Sequence, residues 1–304
     1  MFTFITALIP IMSLIIVGYI LRKTKFLSAD VWTGIEKLTY FILFPSLLIR
    51  TLGNQSIIGT PWPSMLMVIV GTVMTSILVL IVFRKILSKN NATFTSIFQG
   101  GVRFNTYIAF AIAQSLYGAK GLAMSSIAAG FMIVLINLCC ISVFAIWGKA
   151  TFQGILGFVK EIMINPLIIA CAIGWFLSLS GVGLSPVISD ILEIIGRAAL
   201  PFGLLAVGAA LNIKGVKGHL NPILYSSIVQ FLIKPLVASV LVVSTGLSGV
   251  AGAVLIIVFM TPTATSAYIL ARQLGGDSET MASIITVQTL LAFIAMPILG
   301  MFLL

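Results

Sequence analysis

Hydrophobic residues in this chain gather into long runs instead of alternating with polar ones, and the runs recur from one end to the other. They cover residues 3–21, 31–51, 63–84, 94–116, 121–147, 163–180, 187–211, 220–244, 249–271 and 281–303. A helix rises ~1.5 Å per residue, so about 20 apolar residues cross the ~30 Å hydrocarbon core of a bilayer. A helix also satisfies its own backbone polar groups, which lipid cannot do. The pattern predicts an all-α integral membrane protein with ten transmembrane helices in one membrane domain. The polar loops between the runs predict its orientation. Odd-numbered loops hold Arg22, Lys23, Lys25, Arg84, Lys85, Lys89, Lys149, Lys160, Lys214, Lys217 and Arg272, whereas even-numbered loops and their margins hold only Arg50, Lys120 and Arg197. The positive-inside rule puts odd loops in the cytoplasm and both termini outside the cytoplasmic membrane.

Composition narrows the function classes. Of 304 residues, 60% are hydrophobic and 8% charged, where a soluble domain carries ~25% charged residues. The net charge of +10 is scattered through short loops and forms no stripe, which argues against a nucleic-acid partner. Cys139, Cys140 and Cys171 lie inside apolar runs, with no ligand-like spacing to the single histidine, His219. Neither a metal site, a cofactor nor a disulfide framework is expected. No paired-carboxylate or HExxH-like constellation suggests an enzyme. Arg22, Lys23 and Lys25 follow the first apolar run, the reverse of a signal peptide, so 3–21 reads as a retained span.

The two halves share residues at a nearly constant offset. Pro10, Gly18, Tyr19 and Leu21 are answered 156 residues later by Pro166, Gly174, Trp175 and Leu177, and Pro45 and Leu48 by Pro201 and Leu204. Gly118, Met124, Ser126 and Ile127 match Gly275, Met281, Ser283 and Ile284 at an offset of 157. Residues 1–148 and 149–304 thus read as two five-helix repeats. Because five is odd, the second copy inserts inverted, an arrangement that recurs in secondary transporters.

Spans four and nine each carry an interruption near the middle: Gly100-Gly101-Val102-Arg103-Phe104-Asn105-Thr106-Tyr107 and Met260-Thr261-Pro262-Thr263-Ala264-Thr265-Ser266. Pro262 removes a backbone donor and clashes with the preceding turn. Asn105 and the Thr/Ser cluster can bond the groups that a break exposes, and half-helix N-termini attract anions. The alternative is a pair of kinked helices with ordinary polar packing. Arg103 and Lys234 fall near the centres of spans four and eight with no carboxylate at that depth. They need carbonyls, water or an anionic ligand. Lys234 precedes Pro235 and reads equally well as a cap for carbonyls that the proline frees. Arg103, Asn105, Thr106, Pro262, Thr263, Thr265 and Ser266 are the candidate substrate-binding residues. Ser46, Asn137, Lys234 and Gln288 are candidates for the cavity wall, with helix-packing contacts as their alternative role.

With Gly18-Tyr19 and Arg22-Lys23, Phe44-Pro45-Ser46-Leu47-Leu48, Asn105-Thr106, Leu116-Tyr117-Gly118, Leu200-Pro201, Gly208, Lys234 and Pro262-Thr263-Ala264-Thr265, the chain resembles the auxin efflux carrier family over essentially its full length. That family includes plant PIN-FORMED exporters and bacterial malate and malonate permeases. The resemblance implies a fold like that of sodium/proton antiporters, with scaffold and transport domains, and unwound spans four and nine crossing beside the substrate carboxylate. Homodimers through the scaffold helices would fit the resemblance. The family's Pro-Asn pair in each crossing helix is here Phe104-Asn105 and Pro262-Thr263, which favours a bacterial-type carrier of small mono- or dicarboxylates by alternating access. A sodium-coupled symporter of the bile acid type is the alternative.

Overall fold

In the computed structural model, residues 2–54, 59–148 and 163–304 are described and contain no β-strand. Lys149 and Lys160, counted among the loop cations, lie outside the described residues. The chain forms α1 (Phe2–Lys23), α2 (Ala29–Leu38), α3 (Phe44–Gly53), α4 (Trp62–Val82), α5 (Arg84–Leu87), α6 (Asn91–Val102), α7 (Thr106–Trp147) and α8 (Pro166–Ser180). It continues with α9 (Pro186–Arg197), α10 (Ala199–Ala209), α11 (Leu220–Ile228), α12 (Lys234–Ser244), α13 (Gly249–Met260), α14 (Ser266–Gln273) and α15 (Ser278–Leu303).

Among the described residues six helical stretches are long and apolar enough to cross a membrane: Phe4–Lys23, Trp62–Val82, Asn91–Trp147, Pro186–Ala209, Leu220–Ser244 and Ser278–Leu303. The difference from ten runs has local causes. Pro166–Ser180 and Gly249–Met260 are shorter apolar helices, the second cut off by the interruption that follows Met260. The 57-residue stretch Asn91–Trp147 takes in two of the expected runs, which join through Gly118 at φ 59, ψ −144, a conformation open to glycine alone. The run 31–51 is divided into α2, a π-helical turn at Thr39–Leu43 and α3.

That π turn has a partner at Val229–Ile233, and each lies just before an X-Pro pair, Phe44-Pro45 and Lys234-Pro235. A proline ring collides with the carbonyl four residues back and offers no N–H. Widening the turn relieves both problems: the amides of Phe44 and Lys234 donate five residues back, to the carbonyls of Thr39 and Val229.

The helices sort into two packed groups. In one, α1 packs along α10, and α3 packs along α8 and α9. In the other, α6 packs on α11 and α15, and α12 on α4 and α13. The long α7 touches both, with α13 as its main neighbour. Glycines set the closest approaches of the first group. A Cβ at Gly18 would stand 2.1 Å from the Leu205 carbonyl oxygen, and one at Gly208 would stand 1.9 Å from that of Ile15. On the other pair, a Cβ at Gly174 would stand 2.7 Å from Leu52 Cβ and 3.5 Å from the Ile49 carbonyl oxygen. Small residues of this kind let helix backbones approach where lipid gives no hydrophobic push between helices.

Asp277 anchors the second group at one end. Its carboxylate accepts from Thr280 Oγ1 at 2.6 Å and from Thr93 Oγ1 at 3.0 Å, while Ser96 Oγ donates to its carbonyl at 2.8 Å. Burial opposes ionisation of Asp277, but the Thr280 and Thr93 hydrogen bonds and nearby His219 outweigh it and hold the carboxyl below the usual range. The starts of α6 and α15 are thereby tied together.

Candidate functional site

The two interruptions are real breaks in helical geometry. The chain leaves α6 where Arg103 turns extended (φ −69, ψ 165), and α7 restarts on Asn105, whose side-chain oxygen accepts from the Ile108 amide at 3.1 Å. It leaves α13 where Thr261 turns extended (φ −70, ψ 151), and α14 begins at Ser266. Pro262 fits this place because it has no amide to satisfy. Gly100 and Gly101 stay helical. Their lack of a side chain serves packing: a Cβ at Gly100 would stand 2.7 Å from Ile284 Cγ2 and 2.9 Å from Ser226 Cβ.

Broken helix ends expose backbone groups that must find partners, and here the breaks supply each other. The Asn105 amide donates to Thr261 Oγ1 at 3.3 Å. Thr263 Oγ1 donates to the Gln99 carbonyl at 3.2 Å, and the Thr263 amide donates to Gln288 Oε1 at 3.1 Å. Gln288 Nε2 in turn donates to the Gly100 carbonyl at 3.0 Å. Gln230 Nε2 donates to the Thr261 carbonyl. Lys234, 0% exposed, donates to the carbonyls of Val102 at 3.2 Å and Arg103 at 3.0 Å and to Gln230 Oε1 at 2.9 Å. Three ammonium protons meet three oxygens at the negative end of α6. Through Gln230, the same lysine joins one interruption to the other.

Beside the breaks lies a cavity of about 60 Å³ whose polar lining comes from Tyr40, Arg103, Thr106, Asn137, Asn165 and Ser266. About 10–15 Å³ suffices for one water, so the space takes several waters or the polar head of a small solute. Among the described residues no Asp or Glu lines it. Among them, too, the Arg103 guanidinium has neutral partners, Gln99 Oε1 at 3.5 Å, Ser266 Oγ at 3.5 Å and the Cys140 side chain. Three helix N-termini meet the same space: Thr106 opens α7, Ser266 opens α14, and Asn165 caps α8 by accepting from the Leu167 amide at 3.0 Å. Each such end carries roughly half a positive charge. Asn105, between the lining residues Phe104 and Thr106, is 1% exposed and keeps Nδ2 buried without a protein partner. A guanidinium and three positive helix ends suit a small oxyanion.

Of the residues picked from the sequence, Arg103, Thr106, Asn137 and Ser266 come together on this cavity. Asn105, Pro262, Thr263 and Thr265 lie in the interruptions or at their edge without forming its lining. Lys234 and Gln288 hold the interruptions together, and Ser46 Oγ bonds the Ile42 carbonyl of its own helix at 2.8 Å. Tyr40 and Asn165 line the cavity and were not anticipated; nor were Gln99 and Gln230 as links. Asn165-Pro166 carries a readable signal, an N-cap asparagine followed by proline at the first helical position. The glutamines were visible only as isolated amides in apolar runs.

A family model described as membrane transport protein matches residues 3–300. No curated protein matches the chain.

Proposed function

The chain belongs to the auxin efflux carrier family of membrane transport proteins, and we propose that it is a secondary transporter for small organic anions, mono- or dicarboxylates such as malate or malonate. The observation that carries this reading is the cavity where Arg103 and three helix N-termini converge with no carboxylate among the lining residues. A carboxylate there would gain charge-assisted hydrogen bonds that the neutral contacts of Arg103 do not supply.

In this reading the chain has ten spans in two inverted repeats, and the broken segments cross. The local geometry supports the repeat. Gly18 approaches Leu205 while Gly174 approaches Ile49, the same pair of positions exchanged at an offset of 156. Lys25 (φ 58) and Gly181 (φ 70) are both left-handed at that offset, and Gly118 (φ 59) and Gly275 (φ 73) at 157. Ser28 and Ser185, 157 apart, each cap the following helix by accepting from an amide three residues on, at 3.4 Å. The group containing α1, α3, α8 and α10 would be the scaffold and the group containing the breaks the moving body of an alternating-access cycle. In this reading both termini lie outside the cytoplasmic membrane, which the cationic odd loops support.

Purified protein in liposomes is expected to take up labelled malate or malonate. Arg103→Gln should raise KM ~10- to 100-fold, the equivalent of losing a charged hydrogen bond of about 1.5–3 kcal/mol, without changing thermal stability. Unchanged uptake by that variant would remove Arg103 from the site.

Lys234 speaks against sodium coupling at the crossing. Its ammonium holds three oxygens at 2.9–3.2 Å, the kind of oxygen cage a bound cation would need. Replacing external sodium with choline is therefore expected to leave uptake unchanged. A strict sodium requirement would favour the bile acid symporter type of mechanism.

A further inference from the structure

A second cavity, of about 190 Å³, is lined by Leu47, Arg50, Gln114, Glu193 and Arg197, among others. It lies further along the same two helices as the first. On α7 the lining passes from Thr106 to Gln114, eight residues or about 12 Å. On the neighbouring segment it passes from Tyr40 to Leu47. Between these positions Phe44 stacks edge-on against Tyr107 at 4.9 Å and lies 5.3 Å from Phe110. An aromatic cluster thus lies between the two spaces, and the second is lined by Leu47, Leu122, Leu192 and Leu200 as well as by its charged groups.

The second space holds two guanidinium groups and one carboxylate. Arg197 is bound to Glu193 Oε1 on its own helix, with Nε at 3.1 Å. Arg50 reaches Glu193 Oε2 through one nitrogen only, Nη2. Its Nε is buried with no partner. A guanidinium normally grips a carboxylate through two parallel N–H groups, and Arg50 leaves that grip half used.

We infer that this cavity is a second carboxylate site, in which the carboxylate of a transported anion takes over Arg50 from Glu193. The site rests on the reading of this chain as an organic-anion carrier. The incoming group bonds Arg50 through Nε and Nη2. Glu193 keeps Arg197, so no charge is stranded, and Gln114 offers an amide to the remainder of the solute. Glu193 acts as an internal stand-in for the substrate, holding the site closed until an anion competes for it.

Malonate titrated calorimetrically into the full-length chain in nanodiscs tests the assignment. The wild type is expected to bind two malonates per chain, and Arg50→Gln and Arg103→Gln one each. Glu193→Gln, which removes the internal competitor while keeping a hydrogen-bonding side chain, should still bind two, with one site roughly tenfold tighter. If Arg50→Gln fails to fold, the wild-type stoichiometry and the Glu193→Gln affinity decide. A wild-type stoichiometry of one, abolished by Arg103→Gln and untouched by Arg50→Gln, overturns the second site and leaves the first. Binding lost in Arg50→Gln but kept in Arg103→Gln supports the second site and removes the first. No malonate binding to the wild type overturns both.

Discussion

Lys234→Met is expected to cost both folding and transport, although Lys234 does not line the cavity. The side chain is fully buried and all of its donors are used, on the carbonyls of Val102 and Arg103 and on Gln230 Oε1. Methionine matches its length but leaves three buried acceptors unpaired, each at about 1–3 kcal/mol. Gln230 would also lose the contact that orients it toward the Thr261 carbonyl. The expected result is a thermal midpoint lowered by roughly 10 °C or more and no measurable uptake. Arg103→Gln is expected to behave differently, losing uptake at unchanged midpoint. The pair separates a group that holds the site together from a group that faces the solute. A Lys234→Met protein of normal stability and defective transport would mean that the ammonium belongs to the substrate, not to the backbone.

The second large effect is expected at Gly208. A Cβ there would stand 1.9 Å from the Ile15 carbonyl oxygen and 2.8 Å from its carbon. Both are backbone atoms of a packed helix, so no rotamer change relieves the clash and α1 must move away from α10. Overpacking costs about 1–3 kcal/mol even where side chains can adjust, and Gly208→Ala should reach or exceed that. Gly18→Ala meets the same helix pair from the other side, 2.1 Å from the Leu205 oxygen, and should behave alike. Gly34→Ala is the control. It lies inside α2 with nothing within 4 Å, and should be neutral or stabilising by ~0.5–1 kcal/mol. Scanning fluorimetry in detergent ranks the three. Equal midpoints for Gly208→Ala and wild type would contradict the close approach of α1 and α10.

The helical, membrane-embedded character was legible because it depends on runs of apolar residues, a property of sequence alone. So was the place of both interruptions: Pro262 and Asn105 announce a stop and a restart by their own backbone chemistry. Their bounds were less legible. Gly100 and Gly101 looked like part of the break, yet they are helical, and their bareness makes room for Ile284 and Ser226. The role of Lys234 was undecidable from sequence, since a lysine beside a proline can serve a ligand or a carbonyl equally well. The carbonyls it takes come from α6, 131 and 132 residues away, and no local pattern reports such a partner. The same holds for Gln99, Gln230 and Gln288, whose amides matter through what folding brings opposite them. Tyr40 was missed because an aromatic in an apolar run reads as packing, and the π turn that carries it leaves no signature apart from the proline downstream.

Lys234, Gln230, Gln288 and Thr263 bind the broken segments to each other, so in the proposed cycle these would travel as one block. Arg103, Thr106, Asn137 and Ser266 ride on that block, whereas Tyr40, Asn165 and Leu167 belong to the helices it rests against. The cavity beside the breaks therefore straddles a seam. In the proposed alternating-access cycle, sliding along that seam would change which side of the bilayer the cargo faces, while Arg103 moved with it.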